Sequence, residues 1–373
     1  MRIIAVVGIR SQYIKICSFQ RILKNLNIPK QDLDIIYINA GQHYDPELAT
    51  GFINDLKIYF DKELLYDNND PLHIFGDMIV KLAELFCYYN NQNTVDYIMC
   101  FGDANTTMAT AIAASKTGIK LIHVEAGLRL GNLDSPEEGN RVVADHLSSV
   151  LFVSNKADLI NIEKEGLAHK SYFAGDIVQD LVNLYSNEHN NRNYFYYWSN
   201  GTSLTYKRKH YIVASLHRKE NIRDGCLPEL FKAFQVINEN IIFLAHPTVC
   251  KLLSDISYDS EKITIAHYIP YFEMLTCISN CKYMITDSGA FQREAYYLSK
   301  RCIIRQDRAF WHHLVDIGVH ITTGKKCNDI LQSVDFMENL LSKQYPCTDY
   351  FGKGNAVKEI ISYLLRGNIC FPS

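Results

Sequence analysis

No stretch of this chain approaches the ~20 apolar residues that a bilayer-crossing helix needs, so no membrane partner is expected. No long basic run occurs, and the formal net charge is -3, which argues against nucleic acid as a partner. A Gly-x-Gly-x-x-Gly fingerprint is missing, so no dinucleotide cofactor is signalled. The 11 cysteines lack paired Cys-x-x-Cys spacing, and no metal framework is signalled. Cys277 and Cys281 stand within an apolar helical pattern and read as core thiols. Scattered free thiols suit a reducing compartment, and the opening residues 1–8 are too short in their apolar part for a secretory leader. A cytoplasmic location is therefore expected. Neither a tandem repeat nor a low-complexity tract is apparent. What remains is an ordinary globular composition, 47% hydrophobic and 21% charged. At 373 residues the chain exceeds what one core usually organises, so two domains are expected.

The recurring pattern is a short apolar run, a polar turn and an amphipathic helix. Residues 3–7 are continuous and mostly β-branched, as in a strand buried on both faces. Gly8 to Gln12 form the turn after it, and a helix follows with Ile16, Phe19 and Leu23 on one face. A second strand at 34–39 leads to Gly41-Gln42-His43. Residues 46–95 read as helical pieces with a polar break at 67–71. Residues 97–101 and 121–124 are apolar runs separated by an Ala- and Thr-rich helix over 105–117, which is a βαβ unit with parallel strands. Strands at 150–153 and 171–173 complete this half. The alternation restarts at 211–214, with further strands at 241–244, 263–265, 283–286 and 302–304. Between the halves, residues 187–209 are rich in Asn, Tyr, Lys and Arg with almost no apolar period, and read as a linker. The expectation is an α/β protein with domains at 1–186 and 210–354, and a last helix in 355–373 returning to the first.

In open parallel sheets ligands bind beyond the carboxyl ends of the strands. Asp103 and Glu125 close two adjacent strands, so they should enter one crevice. Two carboxylates there suit proton transfer, although an Asp in this place is also a good helix cap. The first turn opens a helix with Arg10 and Lys15 nearby, a natural anion site. His43 and His246 also follow strand ends. Ser135-Pro136-Glu137-Glu138 makes a good helix start, which alone would account for its acids. Ser288-Gly289 opens another helix whose amides suit a phosphate, and Glu294 further along suits a ribose diol.

Taken together, Gly8-x-Arg10 with Lys15, Gly41-Gln42-His43, Gly102-Asp103, the run His123 to Arg129, Pro136-Glu137-Glu138-x-Asn140-Arg141, His217-Arg218-x-Glu220-Asn221 and Thr286-Asp287-Ser288-Gly289 occur in one order. This order resembles the non-hydrolysing UDP-N-acetylglucosamine 2-epimerases, and the likeness covers nearly the whole chain. The resemblance implies two Rossmann-like domains of glycosyltransferase-B type, with the active site in the cleft between them. It implies a UDP-sugar substrate and inversion at C2, by elimination of UDP to a 2-acetamidoglucal and re-addition. Asp103, Glu125, Glu137 and His217 match the catalytic groups. Arg10, Lys15, Ser288 and Gly289 match groups that steady the departing UDP, and Glu294 matches the ribose-binding acid. His43, Arg141 and His246 complete the expected substrate contacts. A homodimer is implied, and no cofactor is signalled by any dinucleotide fingerprint or metal spacing.

The chain also departs from that pattern. Ile9, Ser11 and Gln12 replace the usual Thr, Pro and Glu, and Ala290 and Arg293 replace a Gly and an acid. The usual Arg-Pro-Glu segment reads Phe310-Trp311-His312, leaving Arg305 or Arg308 to supply its arginine. Gln12 to Lys15, Gln42 to Asp45 and Trp311 look more like the branch acting on UDP-2,3-diacetamido-glucuronic acid. A hydrolysing epimerase, a glycosyltransferase of the same shape and a non-catalytic UDP-sugar binder are the alternatives.

Overall fold

A computed structural model describes residues 1–41, 46–67, 70–131, 135–189, 194–199, 202–216, 218, 221–222, 225–245, 247–267, 269–306 and 310–365. The chain divides into two compact units, residues 1–181 with 348–373, and residues 182–347.

The first unit begins with β1 (Arg2–Val7), α1 (Arg10–Leu26), β2 (Asp34–Asn39), α2 (Pro46–Leu56) and β3 (Lys62–Glu63). It continues with α3 (Pro71–Gln92), β4 (Tyr97–Phe101), α4 (Asn105–Thr117), β5 (Leu121–Ala126) and α5 (Pro136–Leu147). Then come β6 (Val150–Val153), α6 (Lys156–Lys164), β7 (Ser171–Phe173) and α7 (Ile177–His189), which runs on into the second unit. Among the described residues the strands form one seven-stranded parallel sheet in the order β3-β2-β1-β4-β5-β6-β7. Ile3, Ile4, Ala5, Val6 and Val7 are at most 1% exposed, so helices cover both faces of β1 and its unbroken apolar run is explained. Small side chains let α4 lie close to α3 and α5: Ala109, Ala111, Ala113 and Ala114 are fully buried.

The second unit opens with β8 (Tyr194–Ser199) and β9 (Thr202–Lys207), an antiparallel ribbon. It continues with β10 (Tyr211–Ser215), α8 (Cys226–Val236), β11 (Asn240–Leu244), α9 (Pro247–Leu253) and β12 (Ile263–Ala266). Next are α10 (Tyr271–Asn280), β13 (Met284–Thr286), α11 (Gly289–Tyr297) and β14 (Cys302–Ile304). It ends with α12 (His312–Asp316), β15 (Ile321–Thr322) and α13 (Cys327–Leu341). Its six described parallel strands lie in the order β12-β11-β10-β13-β14-β15. This repeats the order of the first six strands of the first sheet, β3 to β6. Cys277 and Cys281 are fully buried in its core, as the apolar pattern suggests.

The last described helix, α14 (Ala356–Leu364), belongs to the first unit. The Asp180 carboxylate accepts the N–H groups of Ala356 at 2.9 Å and Val357 at 2.7 Å, which caps that helix. Tyr363 packs its ring edge-on against Phe152 at 5.4 Å.

Residues 187–209 differ from a bare linker. They hold the β8–β9 ribbon, which clusters with the second unit, and Tyr206 packs on Tyr211 with ring centres 5.4 Å apart. The apolar period that sequence reading looks for is absent because cross-strand pairing, not a continuous core face, defines this element.

Candidate active site

The strand order reverses at β1/β4 in the first sheet and at β10/β13 in the second. At such switch points the loops leaving the carboxyl ends diverge and open a crevice. The first crevice is therefore edged by Gly8 and Gly102-Asp103, and the second by Arg218 and Asp287-Ser288.

In the first unit the backbone at the switch point is tightly fitted. A Cβ on Gly8 would lie 2.4 Å from Thr106 Oγ1, so only glycine lets α4 start against the end of β1. Gly102 has φ +63°, and a Cβ there would meet Lys15 Nζ at 2.6 Å. Lys15, 5% exposed, donates to Glu125 Oε2. Glu125 itself has φ +70°, a left-handed conformation unusual for a residue with a side chain. It sits where the β5–β6 register shifts between Val124 and Ala126, and that bulge turns its carboxylate toward Lys15. Strained backbone of this kind is characteristic of functional positions.

Asp103 follows Gly102 and keeps a third of its side chain exposed. It is paired with Arg141 of α5, whose guanidinium is 4% exposed and also donates to Glu138 at 2.9 Å. Asn140 adds a hydrogen bond to the Asp103 carbonyl at 2.9 Å. Of the two adjacent acids in α5, Glu138 is buried and accepts the N–H groups of Leu130 at 3.0 Å and Gly131 at 3.0 Å, so it holds the loop. Glu137 is exposed at the first turn. The Ser135 hydroxyl, at 2.5 Å, draws its carboxyl below the usual range against a smaller opposing effect of burial, and Arg141 adds to the lowering. Arg10 begins α1 exposed, its guanidinium 4.5 Å from the centre of the Phe52 ring.

The first crevice thus brings Lys15 to Glu125 and Arg141 to Asp103, giving two carboxylates at neighbouring strand ends, each matched by a buried cation. Sequence reading missed Gln12 as a connector. Its Oε1 accepts from Gly8 N–H at 2.8 Å, and its Nε2 donates to the Phe101 carbonyl at 2.8 Å. It also missed Asp145, which pairs with His123 and Arg129, because those partners lie far apart in the chain.

In the second unit, Ser288 caps α11, accepting from Phe291 N–H at 3.4 Å. Asp287, fully buried, accepts from Arg218 N–H at 3.0 Å and Asn221 Nδ2 at 2.9 Å. Asn221 also donates to the Arg305 carbonyl at 2.9 Å, so the loop after β10 is stitched to the ends of β13 and β14. A Cβ on Gly289 would lie 3.2 Å from the Phe310 ring, and Trp311 Nε1 donates to the Gly289 carbonyl at 2.8 Å. Arg293 stacks 5.1 Å from the Trp311 ring centre. Glu294 is 3% exposed and accepts from the Tyr271 hydroxyl at 3.0 Å. Arg305 is 1% exposed, and its guanidinium has no hydrogen-bond partner among the described residues. His43, His217, His246 and Arg308 lie outside the described residues. Among the described residues no cluster of three or more His, Cys, Asp or Glu is placed to hold a metal, and no helix is long and apolar enough to cross a membrane.

Two doubly wound sheets of one strand order, each with a polar switch point, define an α/β enzyme of two Rossmann-like domains, the glycosyltransferase-B-type architecture. Residues 27–365 match the family described as UDP-N-acetylglucosamine 2-epimerase. A UDP-N-acetylglucosamine 2-epimerase homolog of Methanococcus maripaludis is 33% identical, over 98% of this chain and 99% of that one. The UDP-2,3-diacetamido-2,3-dideoxy-D-glucuronate 2-epimerase of Pseudomonas aeruginosa is 26% identical, over 98% and 100%. The crystal structure of Methanocaldococcus jannaschii UDP-GlcNAc 2-epimerase in complex with UDP-GlcNAc and UDP superposes with TM-score 0.77 at 26% identity, covering 98% and 100%. The chain belongs to the UDP-N-acetylglucosamine 2-epimerase family and is an isomerase of the epimerase class.

Proposed function

We propose that this protein inverts C2 of a UDP-N-acetylhexosamine by eliminating UDP and adding it back. A base takes the C2 proton, the C1–O bond to the diphosphate breaks with its electron pair leaving on UDP, and a C1=C2 double bond remains in the 2-acetamidoglucal. Re-addition of UDP at C1 and delivery of a proton to the other face of C2 complete the inversion. Two acid/base groups are needed, one for each face. Asp103, Glu125 and Glu137 are the candidates in the first unit, and His217 in the second.

The observation that carries this reading is the pair of strand-end carboxylates held by Lys15 and Arg141. A carboxylate held by a buried cation is fixed in place, and a general base must be aimed at the proton it takes. The second unit holds the nucleotide: the α11 N-terminus at Ser288-Gly289 faces the diphosphate, and Glu294 the ribose. Arg10, Lys15, His43, Arg141 and His246 add contacts to the substrate. Arg305 serves for the arginine that the 310–312 segment lacks, since a buried guanidinium without an anion is costly. Arg293 on Trp311 favours a second reading, a diacetamido-uronate as the sugar, because that cation is absent from the family's usual pattern. The enzyme acts in the cytoplasm as a homodimer and feeds polysaccharide or related sugar-nucleotide synthesis.

Incubation with UDP-N-acetylglucosamine and, separately, with the diacetamido-uronate in heavy water tests this. The expected result is deuterium at C2 and an epimer from one of the two. Absence of both with either sugar would overturn the reading, and free N-acetylmannosamine would redirect it to a hydrolysing enzyme.

A further inference from the structure

None of the steps above uses the network beneath the bend at Glu125. His123 in β5 is fully buried. Its Nδ1 lies 2.6 Å from Asp145 Oδ1, and its Nε2 lies 2.7 Å from the Gly102 carbonyl oxygen. Asp145, also fully buried, accepts from Gly127 N–H at 3.1 Å through its other oxygen, which pairs with Arg129 at 2.8 Å. Arg129 in turn grips Glu165 with two bonds of 2.7 Å.

The donor count on the imidazole follows from its partners. A carbonyl oxygen has no proton to give. The other Asp145 oxygen faces two donors, the Gly127 N–H and the Arg129 guanidinium, so this carboxylate is also an acceptor only. Lys170 donates to the Asp145 backbone carbonyl at 2.9 Å, which adds positive charge nearby. The Cys100 thiol is pushed well up by burial, and further by Asp145, and stays neutral. An imidazole whose two nitrogens both face acceptors donates from both, which makes it an imidazolium.

We propose that His123 is a positioning residue, held as a fixed imidazolium by Asp145, that locks together the two strand ends carrying Asp103 and Glu125. What those carboxylates do rests on the epimerase reading. One bond from the ring fixes the carbonyl of Gly102, the residue before Asp103. The other fixes Asp145, which holds the N–H of Gly127, two residues after Glu125. The left-handed bend at Glu125 is therefore gripped from both sides, and the Lys15–Glu125 pair inherits its aim. Positioning of this kind matters because small misplacements of a reacting group cost large factors in rate.

Two measurements on the full chain test the proposal. Long-range proton–nitrogen correlation of the His123 ring needs no variant, and protons on both nitrogens are expected at neutral pH. A neutral ring with a single proton at pH 7 would overturn the imidazolium. Asp145→Asn is expected to lose the second ring proton and to lower kcat about 10- to 100-fold with KM little changed. An unchanged kcat in that variant would overturn the positioning role. Absence of turnover by the parent with either UDP-sugar would instead sink the epimerase reading, while the ring measurement would still decide the charge of His123.

Discussion

Gln12 both accepts and donates, and the site needs both. Its carbonyl takes the Gly8 N–H at 2.8 Å while its amide reaches the Phe101 carbonyl at 2.8 Å, joining the ends of β1 and β4. A glutamate here, the more usual residue by resemblance, would set a second oxygen against that carbonyl. Gln12→Glu is predicted to lower stability by about 1–3 kcal/mol, read as a drop in Tm at neutral pH. At Gly102 the backbone disfavours a side chain, and one would meet the Lys15–Glu125 pair. With φ +63° and Lys15 Nζ 2.6 Å from a would-be Cβ, Gly102→Ala is predicted to cost about 1–2 kcal/mol in the backbone alone. It should also push Lys15 off Glu125 and lower kcat at least about 10-fold. Unchanged kinetics in a folded Gly102→Ala protein would contradict the importance of that pair. At this scale the sequence is partly transparent. Glu125 and Asp103 are legible as strand-end acids because apolar runs end just before them. The left-handed backbone of Glu125 is not, because it arises from a register shift against β6 that only pairing defines. Nor does adjacency separate Glu137 from Glu138: one is exposed and the other buried according to which side of α5 meets the 128–131 loop.

Individual helices and strands carry opposite responses to pH. His320, after α12, is fully buried; its Nδ1 accepts from Cys302 N–H at 3.1 Å, and its Nε2 donates to the Gln292 carbonyl at 2.9 Å. Burial lowers its pKa to about 4, and burial with the neighbouring histidines lowers that of His313 to about 3. As pH falls from 6.5, the unfolded chain takes up these protons before the folded chain does, so the second unit loses stability over that window. Asp180 is the reverse case. Burial raises its carboxyl to about 7 despite the two N–H groups of α14 that favour its ionised form. Between 3.8 and about 7 the folded chain holds the extra proton, so this group's contribution falls as pH rises. Asp180→Asn should flatten that slope in melts run across the same range, without changing the acid loss from the second unit. Asp180→Ala should cost about 1–2 kcal/mol by uncapping α14. The apolar run of β4 and the Ala- and Thr-rich stretch of α4 are legible to the residue. The two-residue strands β3 and β15 are not, since two residues carry no period and each is held by its neighbour's ladder.

Across the whole chain, one strand order occurs twice, and each copy sets its polar loops where the order reverses. The alternation of run, turn and helix makes the two parallel sheets legible from sequence, because burial on both faces leaves strands continuously apolar. The ribbon within 187–209 escapes that logic, as it is built on pairing rather than on a two-sided core. Residues 348–365 cluster with the first unit, where Asp180 and Phe152 contact α14, as the expected return of a last helix in 355–373 requires. The division of labour proposed for the units, proton transfer in one and nucleotide binding in the other, turns on whether the C1–O bond breaks. Substrate carrying heavy oxygen in the bridge between C1 and the β-phosphorus decides this, with recovered substrate analysed before equilibrium. Elimination and re-addition predict that the label spreads into the non-bridging β-phosphate positions, since the freed phosphate can rotate before it adds back. A label that stays wholly in the bridge while C2 inverts would contradict the mechanism.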